Sequence, residues 1–476
     1  MISLANAFSR NTAAPRPRIA IVGSGISGLA VAHRLRGLAD ITLFEAGDYF
    51  GGHTHTVNVT LPGKTIGTTV AALVTHGVDT GFLVFNERTY PNLISLFSEL
   101  GVKTAKSDMS FSVQVPGQKP GAAGLQWSGS SLNSVFAQRG NLVNWRFLRM
   151  LRDITRFNRI TTALATANAD LGGSGQAALM QPLSAFLKDE NFSVEFRDWY
   201  FLPMMGCIWS CPTDQMLQFP VATMIRFCYN HGLIQVTNRP QWWTVTGGAK
   251  HYVDQITAHI TDKRLNTPVR LIERDGALPV GGVRITTDSQ TEQFDKVVMA
   301  THSDQALELL VNPSSAEKRV LGAIRYQPNR AVLHTDASVL PSKKLAWAAW
   351  NYERAAHTQR ESTQVCLHYL LNMLQPLPFE QPVVVSLNPI KPINRALVLD
   401  SFDYAHPVFD VAAIAAQADV PRLQGLQNTY FCGAWTGYGF HEDGLKSGLN
   451  VARLLYADAT ATAANDVADV AGDVSC

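Results

Sequence analysis

The stretch Gly23-Ser24-Gly25-Ile26-Ser27-Gly28 has the spacing G-x-G-x-x-G, and its setting restricts the possible folds more than any other feature of the chain. Apolar periodicity predicts a strand at Arg18–Val22 just before it. It also predicts a helix from about Ser27 to Gly37 just after it, then a second strand at Asp40–Glu45. A β-α-β opening of this kind points free amide N–H groups, and the positive end of a helix dipole, at an anionic diphosphate. Gly23 suits the tight turn, Gly25 lets a pyrophosphate approach the backbone, and Gly28 lets the helix pack close to the strand. Glu45 ends the second strand, where a carboxylate accepts both ribose hydroxyls of an adenosine and repels a 2′-phosphate.

Around this opening lies a chain of 476 residues, long enough for about two to four domains. The apolar class makes up 46% and charged residues 16%, so the chain has ample material for a core and is no disordered polyelectrolyte. A net charge of +2 gives no global field that selects nucleic acid or acidic partners. Six cysteines, with only Cys207 and Cys211 close together, are too few for a disulfide scaffold. Their spacing predicts no metal site, and a reducing cytoplasmic compartment fits them best. No run reaches the roughly 18 apolar residues of a membrane span. The tail Met1–Arg18 is basic but has no apolar secretion segment.

The nucleotide-binding type of pattern occurs three times, separated by material of a different character. We therefore expect an α/β fold: a discontinuous Rossmann-type dinucleotide-binding domain with an inserted mixed α+β substrate domain. The first is assigned to 16–83, 238–305 and 425–458, the second to 84–237 and 306–424, with flexible tails at 1–15 and 459–476. Helical periodicity is clearest at Pro91–Leu100, Leu142–Thr161, Pro182–Lys188 and Val194–Tyr200. Strands are expected at Val269–Arg274, Val283–Thr287, Lys296–Ala300 and Thr429–Cys432, and a last helix at about Asp443–Leu455. In the Leu142–Thr161 helix, Val143, Phe147, Met150, Ile154 and Phe157 share one face. Arg146, Arg149, Arg152, Arg156 and Arg159 fall on the other, a basic face for an anionic membrane, an acidic acyl carrier or plain solvent.

Five further motifs carry a family resemblance. Glu45-Ala46 is followed by Gly51-Gly52-His53; Val78-Asp79-Thr80-Gly81-Phe82-Leu83 forms a hydrophobic-Asp-x-Gly turn. Thr246-Gly247-Gly248 precedes a helix, Val297-Val298-Met299-Ala300-Thr301 ends a strand, and Phe431-Cys432-Gly433-Ala434 leads through His441-Glu442-Asp443-Gly444 to Ser447-Gly448. Together these resemble the flavin-containing amine oxidase superfamily, which includes monoamine oxidases, protoporphyrinogen oxidase and phytoene desaturases. The resemblance implies an FAD-dependent oxidoreductase. It places Gly51, Gly52 and His53 at the diphosphate; Thr80, Gly81, Phe82 and Leu83 along the flavin; Val269 at the adenine; and Ala300, Gly433, Ala434, His441 and Glu442 near the flavin and its ribityl chain. No attachment motif is present, so the FAD is expected to be noncovalent. His53 stands where the family has an arginine, and Ala434 where it has a glutamate. In finer detail, Trp350-Asn351-Tyr352, Asn372-x-x-Gln375 and His406-Pro407 are similar to a bacterial branch associated with cyclopropane fatty acid synthases, a link that implies lipid-like substrates.

His441 is the only side chain in its segment with an ordinary pKa near neutrality, which makes it a candidate proton donor or acceptor. Glu442 and Asp443 also suit a helix N-terminus electrostatically. Met204-Met205-Gly206-Cys207-Ile208-Trp209-Ser210, with Trp347, Trp350, Asn351 and Tyr352, is expected either to wall an apolar cavity or to be plain core. The expected reaction is oxidation or desaturation of an apolar, fatty-acyl or lipid-like substrate. Amine oxidation, double-bond isomerisation and a noncatalytic role beside a lipid-modifying enzyme stay open.

Overall fold

The computed structural model describes residues 16–64, 72–117, 124–170, 181–234, 239–274, 282–355 and 364–472, with backbone alone for 167–170 and 459–472. A five-stranded parallel sheet forms one layer, in the order Asp262–Arg264, Asp40–Phe44, Arg18–Val22, Lys296–Met299, Thr429–Phe431. Its central strand, Arg18–Val22, is buried over its last four residues, as a strand covered on both faces must be. The strands come from the beginning, middle and end of the chain, so closing this sheet brings distant segments to one edge. A second, seven-stranded mixed sheet runs from Val398–Val408 through Arg325–His334, Val384–Leu387, Cys366–Leu370, Trp350–Glu353 and Phe111–Val115 to Leu125–Ser128. A three-stranded antiparallel meander over Val269–Glu273, Val283–Thr287 and Thr291–Phe294 flanks the first sheet.

Helix Ile26–Leu35 packs against the helix His441–Gly472 on one face of the parallel sheet. A methyl group on Gly448 would stand 2.2 Å from the Ser27 carbonyl oxygen, and one on Gly28 2.1 Å from that of Gly23. The two helices therefore approach backbone to backbone. The final helix starts at His441, two residues earlier than its periodicity suggests, and continues to Gly472. The helix thus runs on through most of the segment assigned to a tail from 459, where its alanine-rich composition favours helix. Residues 1–15 and 473–476 of the expected tails lie outside the described residues.

The long amphipathic helix also starts differently from its expectation, at Trp145. Asn144 Oδ1 accepts from the Arg146 and Phe147 amides at 3.1 and 3.4 Å, an N-cap that stops the helix from extending back to Leu142. Phe147, Met150 and Phe157 are fully buried, whereas Val143 lies outside the helix and is exposed. Val194–Phe196 runs through one π-helical segment, Arg197–Phe201, into Leu202–Trp209. Among the described residues no helix is long and apolar enough to cross a membrane.

Candidate functional site

One cavity of about 630 Å³ runs from the glycine-rich turn to the seven-stranded sheet. Gly23 makes the turn at φ 102°, its amide donating to the Phe44 carbonyl at 2.9 Å. A methyl group on Gly25 would meet nothing within 4 Å, so the backbone faces open space where a diphosphate needs it. Ser24 is fully buried and ties the two glycine segments together: its amide donates to Glu45 at 3.0 Å, and its hydroxyl accepts from the Gly51 amide at 3.1 Å. The second Glu45 oxygen accepts from the Gly47 amide at 2.9 Å. The acid is thus held at the strand end, beside Thr267 and Val269 of the cavity wall.

Gly23, Ser24, Gly25, Ile26, Ser27, Glu45, Ala46, Gly51, Gly52, His53, Thr80, Gly81, Phe82, Leu83, Val269, Ala300, Gly433, Ala434 and His441 all line this cavity. Gly28 and Glu442 do not. Gly28 instead packs on Gly23 and Ala300 beneath the turn. Glu442 is placed differently from the expectation that it contacts the cofactor. Its carboxylate accepts from the Asn92 amide and side chain at 2.9 and 2.6 Å, and from the Leu93 amide at 3.0 Å. It caps the helix Pro91–Leu100, satisfying free N–H groups at the positive end of the helix dipole. Glu442→Ala is therefore expected to lower stability by about 2 kcal/mol through three lost charge-assisted hydrogen bonds. The shift should appear in thermal unfolding with an unchanged flavin absorption spectrum; an altered spectrum would return Glu442 to the cofactor.

His441 stacks on Phe82, ring centroids 3.9 Å apart and planes within 14°. Its Nε2 lies 2.7 Å from the Tyr252 hydroxyl, which in turn meets Thr54 Oγ1 at 2.5 Å. Burial, with a smaller contribution from His53, pushes its pKa down to about 3. The structure thus makes it a neutral ring anchored through Nε2, not a group that titrates near pH 7. Three more imidazoles line the same cavity, clustered on His53. His53 lies 5.4 Å from His406 and 6.4 Å from His302, centroid to centroid, and its Nε2 is buried with no partner. Burial lowers His53 and His302 to about 4, and His406 to about 3. An unpartnered buried nitrogen beside an open glycine turn is a donor waiting for an anionic group, so the site fits a dinucleotide diphosphate.

Asp79 secures the junction between the layers. It is fully buried, accepts from the Ala249 amide at 2.9 Å and from Gln375 Nε2 at 2.7 Å, and burial raises its pKa to about 7. Gln375 Oε1 takes the Asp79 amide in return. This explains the Asn372-x-x-Gln375 pattern: Asn372 accepts from the Val383 amide, and Gln375 clamps the turn that enters the cavity at Thr80.

The far lobe of the cavity is walled by Met109, Cys207, Ile208, Leu233, Trp350 and Leu387, with His231, Trp242 and Tyr369 among them. Cys207, Ile208 and Ser210 face the cavity, whereas Met205 and Gly206 are core. Only Trp350 of the expected aromatic group lines it. Trp347 donates to the Pro341 carbonyl instead, Tyr352 packs against Gly206, and Asn351 is buried among Ser112, Ala348 and His368. Sequence reasoning missed His231, Trp242, Tyr369 and Leu387. Trp242, Tyr369 and Leu387 are ordinary strand positions whose role follows only from register, and His231 reaches the cavity as the C-cap of the helix Val221–Asn230. Cys432 is fully buried and is not among the lining residues. A separate buried network links Glu353, His368, Ser386 and His334 through contacts of 2.7–3.1 Å inside the seven-stranded sheet, with Cys366 beside it.

A parallel dinucleotide sheet, a paired glycine turn and an apolar lobe in one cavity are the features of a flavin-dependent oxidoreductase. A model of the flavin containing amine oxidoreductase family matches residues 26–455, and the chain belongs to that family, whose cofactor is FAD. Tryptophan 2-monooxygenase of Agrobacterium vitis is 55% identical over 40 residues, 8% of this chain and only 5% of that protein's length. Among solved structures, the chain is similar to a CLA-producing fatty acid isomerase from P. acnes. The TM-score is 0.61 at 16% identity, over 92% of this chain and 98% of that one. Wild-type putrescine oxidase bound to putrescine superposes with TM-score 0.63 at 15% identity, over 93% and 99%. At such identities these likenesses speak for the fold alone.

Proposed function

We propose that this oxidoreductase acts on an apolar, lipid-like substrate, which it oxidises or desaturates. The observation that carries this reading is the charge distribution along the cavity. Its charged lining residues are Glu45, Arg270 and Glu308. Arg270 lies on the strand Val269–Glu273, and Glu308 on the helix Ser303–Leu309 that packs against that strand, so both belong to the dinucleotide end with Glu45. The far lobe offers a charged substrate no counter-charge, and burying an unpaired ion there is costly. Apolar and aromatic walls instead favour an acyl chain.

Bound in this cavity, FAD supplies the hydride acceptor at N5. The chain's own residues do the rest. Phe82 and His441 stack as a rigid pair, and Tyr252 holds that pair in place from behind. His231, stacked on Phe227 at 3.9 Å and lowered by burial to about 4, presents a neutral polar edge within the apolar wall. Such weakly basic imidazoles hydrogen-bond a substrate without taking a proton at neutral pH. A flavin-dependent isomerase is the second reading, favoured by the same apolar lobe and in keeping with the fatty acid isomerase that shares the fold. The bacterial branch resemblance supports lipid substrates, and the few scattered cysteines support a cytoplasmic setting.

Anaerobic mixing of the FAD-loaded protein with fatty acids, acyl thioesters and amines tests the proposal. Bleaching of the flavin by an acyl compound is the expected result. Bleaching by amines alone would overturn it. A product of unchanged mass with a moved double bond would select the isomerase.

A further inference from the structure

Among the described residues, five large exposed apolar side chains sit together at one corner. Leu132, Val143 and Trp145 are 81%, 87% and 66% exposed, and Leu142 and Leu148 are exposed beside them. They sit on three consecutive short elements: the helix Leu132–Val135, the turn Arg139–Val143 and the first turn of the helix Trp145–Asp170. Arg139 joins the first two by donating to Asn133 Oδ1 and to the Phe136 carbonyl at 2.6 and 2.9 Å. Asn144 fixes the third by ending the helix there, which leaves Leu142 and Val143 on a projecting corner. The hydrophobic effect would draw such residues inward if the chain's own packing could cover them; here buried Phe147 and Met150 hold the helix by its opposite face.

Charge distinguishes this corner from an ordinary apolar patch. Arg149 and Arg152 are exposed one and two turns beyond Trp145, and no acid partners them among the hydrogen bonds and ion pairs of the described residues. Arg146 and Arg156 differ: they pair with Glu195 and Glu190 at 2.6 and 2.9 Å and lie over Trp199 and Phe192. The basic face foreseen from the sequence is thus divided, with two arginines serving the fold and Arg149, Arg152 and Arg159 left outward.

We infer that the Leu132–Arg152 corner docks on the surface of an anionic lipid bilayer. Leu132, Leu142, Val143, Trp145 and Leu148 enter the boundary between headgroups and acyl chains, while Arg149 and Arg152 meet lipid phosphates. An apolar wedge with an indole at its rim and flanking guanidinium groups is the arrangement that interfacial binding requires. A second protein would more commonly offer a shaped pocket to such side chains, and a basic rim favours an anionic surface over a second copy of this equally basic corner. The inference holds whatever the substrate is, because adsorption is measured without turnover.

The FAD-loaded protein is sedimented with vesicles of equimolar phosphatidylglycerol and phosphatidylcholine, and with phosphatidylcholine alone. Expected is binding to the anionic vesicles, weakened at least tenfold by 0.5 M salt. Two variants, Val143→Ser with Trp145→Ser, and Arg149→Glu with Arg152→Glu, are each expected to bind at least tenfold less well while retaining flavin. These substitutions lie on solvent-facing positions, so the flavin spectrum reports an intact fold. Absence of binding to either vesicle, or unchanged binding in both variants, overturns the inference. Concentration-dependent self-association that the same variants abolish, without vesicle binding, assigns the corner to a second copy and likewise overturns it.

Discussion

Gly448→Val is expected to give a protein that cannot retain flavin. The substituted position lies in the final helix, far from the glycine-rich turn in sequence, yet its backbone packs directly against Ser27. A Cβ there would stand 2.2 Å from the Ser27 carbonyl oxygen and 2.9 Å from the Ala30 side chain. Overpacking of a core usually costs about 1–3 kcal/mol, and here the obstacle is backbone, which has no alternative rotamer. The final helix must move away, and with it His441 and the Gly433–Ala434 turn that line the same cavity. The ratio of flavin to protein absorbance after gel filtration measures the outcome. Stoichiometric flavin in the valine variant would show that the close helix crossing is not what shapes the site.

The second large effect is loss of stability on acidification of the flavin-free protein. Burial holds His53, His231, His302 and His334 at about 4, and His406 and His441 at about 3. An unfolded histidine takes up its proton near pH 6.5. Between about pH 6.5 and 4 the unfolded chain therefore binds more protons than the folded one, and stability falls as pH falls. Each site contributes up to about 2 kcal/mol at pH 5, less where solvent enters the cavity. Asp79 at about 7, Asp443 at about 6 and Glu442, raised by burial, act in the opposite sense, but the lowered histidines, His33 and His55 included, outnumber them. His368, raised to about 9, is charged in the folded state throughout it and adds little slope. The thermal midpoint should thus drop by several degrees from pH 7 to pH 5. An unchanged or higher midpoint at pH 5 would mean that these imidazoles are solvated in the folded protein rather than buried.

The parts of the site that could be read from the residues are those whose chemistry is local. The turn at Gly23–Gly28 and the acid Glu45 depend on spacing within one β-α-β unit, and Gly51-Gly52 follows at once. The fold class followed from the same periodicities, because three nucleotide-type patterns separated by foreign material imply one sheet built from distant segments. Glu442 shows where local reading ends. An acid beside a helix start suits any nearby N-terminus, and only the packing of Pro91–Leu100 decides which one it serves. The aromatic group around Trp350 shows the same limit for strands. Trp350 and Tyr352 are two residues apart, yet one meets the cavity and the other meets Gly206.

Amino-acid order alone determined the glycine-rich turn, the acid that ends the second strand, the α/β class and the flavin family, because each rests on short-range geometry that few residue types satisfy. Tertiary structure alone decided which apolar side chains wall the far lobe, that the imidazoles clustered at His53 stay neutral, and which arginines are left outside the ion pairs at the exposed corner. Those properties depend on desolvation and on contacts between segments hundreds of residues apart, and neither is encoded at any single position.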